Sequence, residues 1–95
     1  MKKGYWMAMV DVTDPENYPK YIAANKAAFD KYGAKFLTRG GQSSSPEEPT
    51  GNRHVIIEFD SYETALACYN SPEYQAALKL RRMYSKAHFA IVEGA

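Results

Sequence analysis

The chain has a single cysteine, only two histidines and almost no excess of charge, and each scarcity closes off a class of function. Cys68, standing alone, can form neither an internal disulfide nor a cysteine-based zinc cluster. His54 and His88 fall on two different predicted strands, and a metal site needs three or four convergent ligands, so no metal centre is expected. Lys and Arg number 12 against 11 Asp and Glu, a net charge of +1, and the two signs are interspersed. That balance gives no reason to expect a nucleic acid or an anionic membrane as partner. No stretch approaches the roughly 20 apolar residues of a membrane span. The apolar run Tyr5–Val10 behind Lys2 and Lys3 is too short for the h-region of a signal peptide, so a soluble cytoplasmic domain is expected. A Gly-rich phosphate loop is missing: Gly40-Gly41 closes a strand but lacks the motif spacing and a following helix. Ser43–Ser45 lie in a loop with no evident base, so no Ser-His-Asp arrangement can be named. No cofactor is expected.

What is present specifies a scaffold. The 95 residues make one domain, 1–95. A chain this short buries only roughly 60–65% of the surface its unfolded form exposes, and a thin core gains from a partner chain. The densest signals lie in Ile56–Arg81, where a strand ends in Phe59, a helix starts at Asp60 and a second helical segment restarts at Ser71-Pro72.

In chain order, Gly4–Val12 (GYWMAMVDV) is apolar on both faces and predicts a central strand. Asp14 and Pro15 predict an N-cap and first helical position, although Pro19 complicates the first turn and moves the regular helix towards Tyr18. Tyr18, Tyr21, Ile22, Asn25, Ala28, Phe29 and Tyr32 form one stripe at helical spacing, and Gly33 stands where a left-handed cap belongs. Ala34–Arg39 predicts a second strand closed by Gly40-Gly41, and the polar stretch QSSSPEEPTGN over 42–52 a surface loop that could serve as a lid. Arg53–Phe59 predicts the third strand. Asp60 and Glu63 fit a capping box, Ala65, Leu66 and Tyr69 a buried stripe, and Asn70-Ser71-Pro72 a break before a second stripe of Tyr74, Ala77, Leu78 and Arg81. Ala87–Glu93 predicts the last strand.

The order β-α-β-β-α-β predicts an α+β fold: a four-stranded antiparallel sheet with two helices on one face. Two helices cover only one side, yet three of the strands carry apolar groups on both. One alternation set is Tyr5, Met7, Met9, Val55, Ile57, Phe59, Phe89 and Ile91; the other is Trp6, Ala8, Val10, Ile56, Ala90 and Val92. Parity alone leaves open which set meets the helices. The remaining set would be an exposed patch larger than monomers usually tolerate, so a homodimer through the sheet face is expected.

Several segments also resemble a known family: the opening Gly4-Tyr5-Trp6, Asp14-Pro15-Glu16, Tyr21, Gly33, Arg39-Gly40-Gly41, Glu58-Phe59, Ala65, Tyr69, Ser71-Pro72-Glu73-Tyr74, Arg81 and Val92-Glu93-Gly94. Together they resemble the DUF1330 family of the dimeric α/β-barrel superfamily, with the SPEY segment and its downstream Arg the most specific part. The resemblance implies a ferredoxin-like fold and a dimer whose sheets face each other. It implies no catalytic residue, because the family has no settled function. The chain departs from the family pattern at Glu48, where a Gly follows the Glu, and at Cys68, where Trp or Phe stands.

The candidate site residues are Tyr18, Tyr21, Asn25, Arg39, Tyr69, Tyr74 and Arg81. The tyrosines either line a cleft between helices and sheet or belong to the core with each hydroxyl reaching a partner at the rim. Asn25 either points into that cleft or bonds to backbone at the stripe's edge. Arg39 and Arg81 either hold a substrate carboxylate in bidentate fashion or pair with Glu47, Glu58 or Glu73. A general base would have to be His54, His88 or a carboxylate such as Asp11. Cys68 has no neighbour that would activate it and is expected to be a packed thiol. The expected function is that of a small dimeric domain with a cleft for a small organic ligand. The alternative is a cofactor-independent oxygenase or isomerase acting on a small aromatic or dicarbonyl compound.

Overall fold

A computed structural model describes residues 2–95. The elements run β1 (Gly4–Val12), α1 (Tyr18–Tyr32), β2 (Lys35–Arg39), β3 (Arg53–Phe59), α2 (Tyr62–Asn70), α3 (Pro72–Tyr84) and β4 (Ser85–Glu93). The sheet order is β2-β3-β1-β4, with every neighbouring pair antiparallel. This is the α+β, βαββαβ architecture that the element order predicts. One difference is in the count: the second helical arm is two helices, so the described residues hold three. Ser71 is the cause. Its backbone is extended (φ −68°, ψ 150°), its hydroxyl accepts the Tyr74 N–H at 3.1 Å and donates to the Cys68 carbonyl at 2.7 Å. One side chain thereby closes α2 and caps α3, with Pro72 pre-set for the first turn.

Two other caps differ from expectation. Asp14 does not cap α1, which starts only at Tyr18. The Asp14 carboxylate instead holds the preceding turn, accepting the Asn17 side-chain amide at 2.9 Å and the Asn17 backbone N–H at 3.1 Å. These bonds keep its pKa below the ordinary carboxylate value. Pro19 then lies in the first turn, where its missing N–H deprives no carbonyl of a partner. At α2 the cap is Ser61, which accepts the Thr64 N–H at 3.0 Å, while Asp60 pairs with Lys3 at the surface. Gly33 ends α1 in the left-handed region (φ 67°, ψ 35°), which a side chain would disfavour.

The molecule measures 34 × 30 × 17 Å, and the short dimension accommodates one sheet and one helical layer. Register decides which side chains the helices cover. Trp6 of β1 lies opposite Ile57 of β3 and Ile91 of β4, and Ala8 opposite Val55 and Phe89. The covered face is therefore Trp6, Ala8, Val10, Val55, Ile57, Phe59, Phe89 and Ile91. Tyr5, Met7, Met9, Ile56, Ala90 and Val92 face away. This corrects both alternation sets drawn from sequence, each of which mixed strands from opposite faces. Alternation is internal to a strand, and only pairing tells one strand's odd positions from another's. Trp6 is the hub of the core. Its ring contacts Tyr74 at 4.7 Å, Phe59 and Phe89 at 5.2 Å and Phe29 at 5.3 Å, and its indole N–H donates to the Ala65 carbonyl at 2.9 Å.

β2 carries one irregularity that bears on the site. Phe36 pairs with Ile57, but Thr38 pairs with Ile56 and Arg39 with Val55, so Leu37 is bulged out of register. Simple alternation would place Arg39 on the face opposite Phe36. The extra residue brings both to the helix side.

Candidate functional site

A cavity opens between α1, α3 and the sheet, at the end away from α2. Its walls are Tyr18, Tyr21, Ile22, Asn25 and Phe29 from α1, Arg81 from α3, and Trp6, Ala8, Val10, Phe36, Arg39, Arg53, Val55, Ile57 and Phe89 from the strands. The space open to a water molecule is about 30 Å³, while the whole hollow with its mouth is about 460 Å³. The first figure is room for one or two waters. The second includes open solvent at the mouth, so a ligand larger than a few atoms reaches out of the enclosed part.

The floor is a hydrogen-bonded chain. The Arg81 guanidinium donates through Nη1 to the Tyr74 hydroxyl at 3.0 Å, and the Tyr74 and Tyr21 hydroxyls lie 2.8 Å apart. Tyr74 is fully buried, and its oxygen already accepts a hydrogen bond from Arg81. The acceptor in reach of its own hydrogen is Tyr21, so Tyr74 donates to Tyr21. That leaves the Tyr21 hydrogen free to face the cavity that Tyr21 lines. Burial, above all, then the neighbouring Tyr21, pushes the Tyr74 hydroxyl far above its ordinary pKa, so it stays protonated as the relay requires. Burial likewise raises Tyr18, with the nearby Arg53 charge acting against it.

Asn25 is the least expected wall residue. It is only 5% exposed, it lines the cavity, and its side chain makes no hydrogen bond to another described residue. It does not bond to backbone at the stripe's edge. Its amide is not cut off from water, since Asn25 also borders a shallow open groove with Ala23, Lys26 and Asp30.

Three arginines complete the wall. Arg81 is 9% exposed, Arg53 half-buried and Arg39 exposed, a gradation from floor to mouth. Each lies over an aromatic ring: Arg39 over Phe36 at 4.1 Å, Arg81 over Phe89 at 5.0 Å and Arg53 over Tyr18 at 5.6 Å. None of the three makes an ion pair with a described carboxylate; the pairs present are Lys3–Asp60, Lys26–Asp30 and Lys31–Glu73. The expected partners are occupied elsewhere or remote: Glu73 holds Lys31 at 3.1 Å and Glu58 accepts the Tyr5 hydroxyl at 3.0 Å. The buried Nε of Arg53 has no acceptor among the described residues.

Of the candidates named from sequence, Tyr18, Tyr21, Asn25, Arg39 and Arg81 line this cavity. Tyr69 and Tyr74 do not. Tyr74 supports the floor from behind, and Tyr69 stacks on Phe89 at 5.3 Å. Arg53 was missed, although its alternation with Val55, Ile57 and Phe59 places it on their face. The loop over 42–52 contributes no side chain to the wall. Asn52 instead anchors the loop's end to β1, accepting the Val12 N–H at 2.9 Å. His54 and His88 both lie on the outward face, flanking Met9, and His54 Nε2 meets the Thr50 hydroxyl at 2.8 Å. The cavity wall has no histidine, carboxylate or cysteine. Among the described residues no three His, Cys, Asp or Glu are grouped so as to hold a metal ion. Cys68 is fully buried, and burial, with a smaller effect of Glu73, pushes its thiol up to about 12. No helix among the described residues is long and apolar enough to cross a membrane.

Residues 3–95 match the sequence pattern of DUF1330, described as a domain of unknown function. Among curated proteins none matches the chain. Similar solved structures include a protein of unknown function from Rhodopseudomonas palustris, 16% identical with a TM-score of 0.77, covering 99% of this chain and 83% of that one. Another is SnoaB, a cofactor-independent oxygenase from Streptomyces nogalater (9% identity, TM-score 0.66, 100% and 95% coverage). A third is a dimeric protein of unknown function with a ferredoxin-like fold from Bacteroides fragilis (19% identity, TM-score 0.57, 96% and 95% coverage). At these identities the likeness carries the fold alone, and the fold is ferredoxin-like.

Proposed function

The chain belongs to the DUF1330 family, and on that footing we propose that it is a small-molecule binding domain that works as a homodimer. The ligand occupies the helix–sheet cavity. The observation that carries this reading is the aromatic-walled cavity with the buried Arg53 Nε on its wall, a donor with no acceptor among the described residues. A donor kept only for packing would be given a protein acceptor, because an unsatisfied buried polar group costs about 1–3 kcal/mol. The aromatic walls suit a flat organic body, and the Tyr21 hydroxyl and Asn25 amide supply directional contacts. The catalytic alternative, a cofactor-independent oxygenase or isomerase, is not favoured: the wall offers no carboxylate, histidine or cysteine to take a proton.

The dimer uses the outward sheet face. Met7 (47% exposed), Met9 (43%) and Val92 (42%) stand there, with Ile56 and Ala90 beside Met7 across the register. A contiguous apolar strip on a central strand is covered most simply by a second copy. The Bacteroides fragilis protein of similar fold is described as dimeric, which supports a dimer here. A cytoplasmic location belongs to this reading.

Asn25→Leu tests the ligand site directly. The substitution removes the amide and adds apolar volume at the cavity wall, so binding of small aromatic compounds, followed by Trp6 fluorescence, is lost while the fold is kept. Trp6 is the chain's one tryptophan and lines the cavity. A variant that is less stable and binds no differently would show that Asn25 serves packing, and the proposal would fall.

A further inference from the structure

We infer that the ligand is a small organic carboxylate, gripped by Arg39, Arg53 and Arg81; the inference rests on the ligand-binding reading above and names its chemical class. Three permanent cations share one cavity wall that contains no acidic side chain. The chain does not lack acids, since it has 11 Asp and Glu for 12 Lys and Arg. The described carboxylates that form ion pairs do so with lysines away from the cavity. Like charges gathered around one space repel, and an internal carboxylate at any wall position would relieve them. Its place is left to something that enters.

The guanidinium groups are held for that purpose. Each guanidinium lies over an aromatic ring, at 4.1 to 5.6 Å from its centre, an attraction that holds the cation at the wall. Arg81 uses Nη1 on Tyr74, and the buried Nε of Arg53 has no partner among the described residues. The Leu37 bulge turns Arg39 to this side of the sheet, an irregularity that regular pairing would not require. Tyr21, relieved of accepting duty towards solvent by Tyr74, adds a neutral donor. Every polar contact the wall offers at its floor is thus a donor, apart from the Asn25 amide, which offers one donor group and one acceptor.

Size selects the class of anion. Room for one or two waters at the inner end, about 30 Å³, admits a planar carboxylate between flat aromatic walls. The carboxylate then meets Arg81 and the Arg53 Nε, Arg39 closes on it from the mouth, and the organic body lies outward against Phe36 and Tyr18. A planar fork matching planar forks is the geometry in which arginine outperforms lysine.

The test is a matched pair, benzoate and benzamide, titrated against the dimer at low salt by Trp6 fluorescence and calorimetry, with inorganic phosphate as a third arm. Benzoate is expected to bind at least about 30-fold more tightly than benzamide, and to weaken as salt rises. Arg53→Gln is expected to weaken benzoate by about tenfold or more without altering benzamide, and Arg53→Lys to restore part of the loss. Arg53 is half-buried at a strand end, so these variants fold even if Arg81→Gln does not. Benzamide binding as tightly as benzoate overturns the carboxylate assignment and leaves the ligand-binding reading intact. Phosphate binding more tightly than benzoate also overturns the carboxylate assignment. Binding of none of the three below millimolar overturns both readings.

Discussion

Removing the Tyr74 hydroxyl should cost more than removing that of Tyr21, although the two lie in one hydrogen bond. Tyr74→Phe strips the Arg81 guanidinium of its hydrogen bond to the Tyr74 hydroxyl and removes the Tyr21–Tyr74 bond. A buried hydrogen bond to a charged group contributes about 1.5–3 kcal/mol and a neutral one about 0.5–1.5. Arg81 and Tyr21 both border a cavity with room for one or two waters, which returns part of the loss. The net expectation is about 2–3 kcal/mol for Tyr74→Phe. Tyr21→Phe leaves the Arg81–Tyr74 bond in place and should cost about 1 kcal/mol. For a chain of this length the larger value corresponds to a drop in melting temperature of about 10 °C or more. Urea unfolding at one fixed protein concentration, read by far-UV circular dichroism and Trp6 fluorescence, measures both; the concentration is held because dimerisation adds a mass-action contribution. Equal costs for the two variants, or a Tyr74→Phe cost below about 0.5 kcal/mol, would refute the reading that the buried Arg81 guanidinium depends on the Tyr74 hydroxyl.

Met7→Lys places a charge at the centre of the outward sheet face and should convert the dimer to a monomer in light scattering at micromolar concentration, with a parallel loss of stability. A dimer of undiminished mass would move the interface elsewhere. Cys68 should resist thiol reagents at pH 8 in the native protein and react fully in denaturant, since its thiol is buried. Its folded pKa is raised, from 9.0 to about 12, so its contribution to stability is whole below pH 9 and lost as pH climbs towards 12. Tyr18 and Tyr74, also raised by burial, act in the same direction above pH 10, and a urea midpoint that stays flat or rises from pH 8 to 11 would contradict this.

Local chemistry made much of the fold legible in advance. Gly33 as a left-handed cap, Ser71-Pro72 as a helix break and restart, and the β-branched run Val55–Ile57 each act through neighbours within four residues. For the same reason the near misses were local. Asp14 and Asp60 look like caps, but Ser61 stands one residue closer to its helix and the Asn17 amide captured Asp14 for a turn. Part of the site was legible too, since the stripe spacing put Tyr18, Tyr21 and Asn25 on one face of α1.

The sequence by itself determined which segments are helix or strand, their order, and that too many apolar groups exist for one covered face. Only the tertiary structure decided which groups those are. Trp6 meets Ile57 and Ile91 across separations of 51 and 85 residues, 57 − 6 and 91 − 6, and no local pattern encodes such a pairing. Register also decided the site: a single bulged residue, Leu37, turned Arg39 to the helix side, where Arg53 and Arg81 already stood. Whether an arginine has a carboxylate partner depends on where the carboxylates end up. Glu73 went to Lys31 and Glu58 to the outward face with Tyr5, and the cavity was left with positive charge and a buried arginine donor without an acceptor.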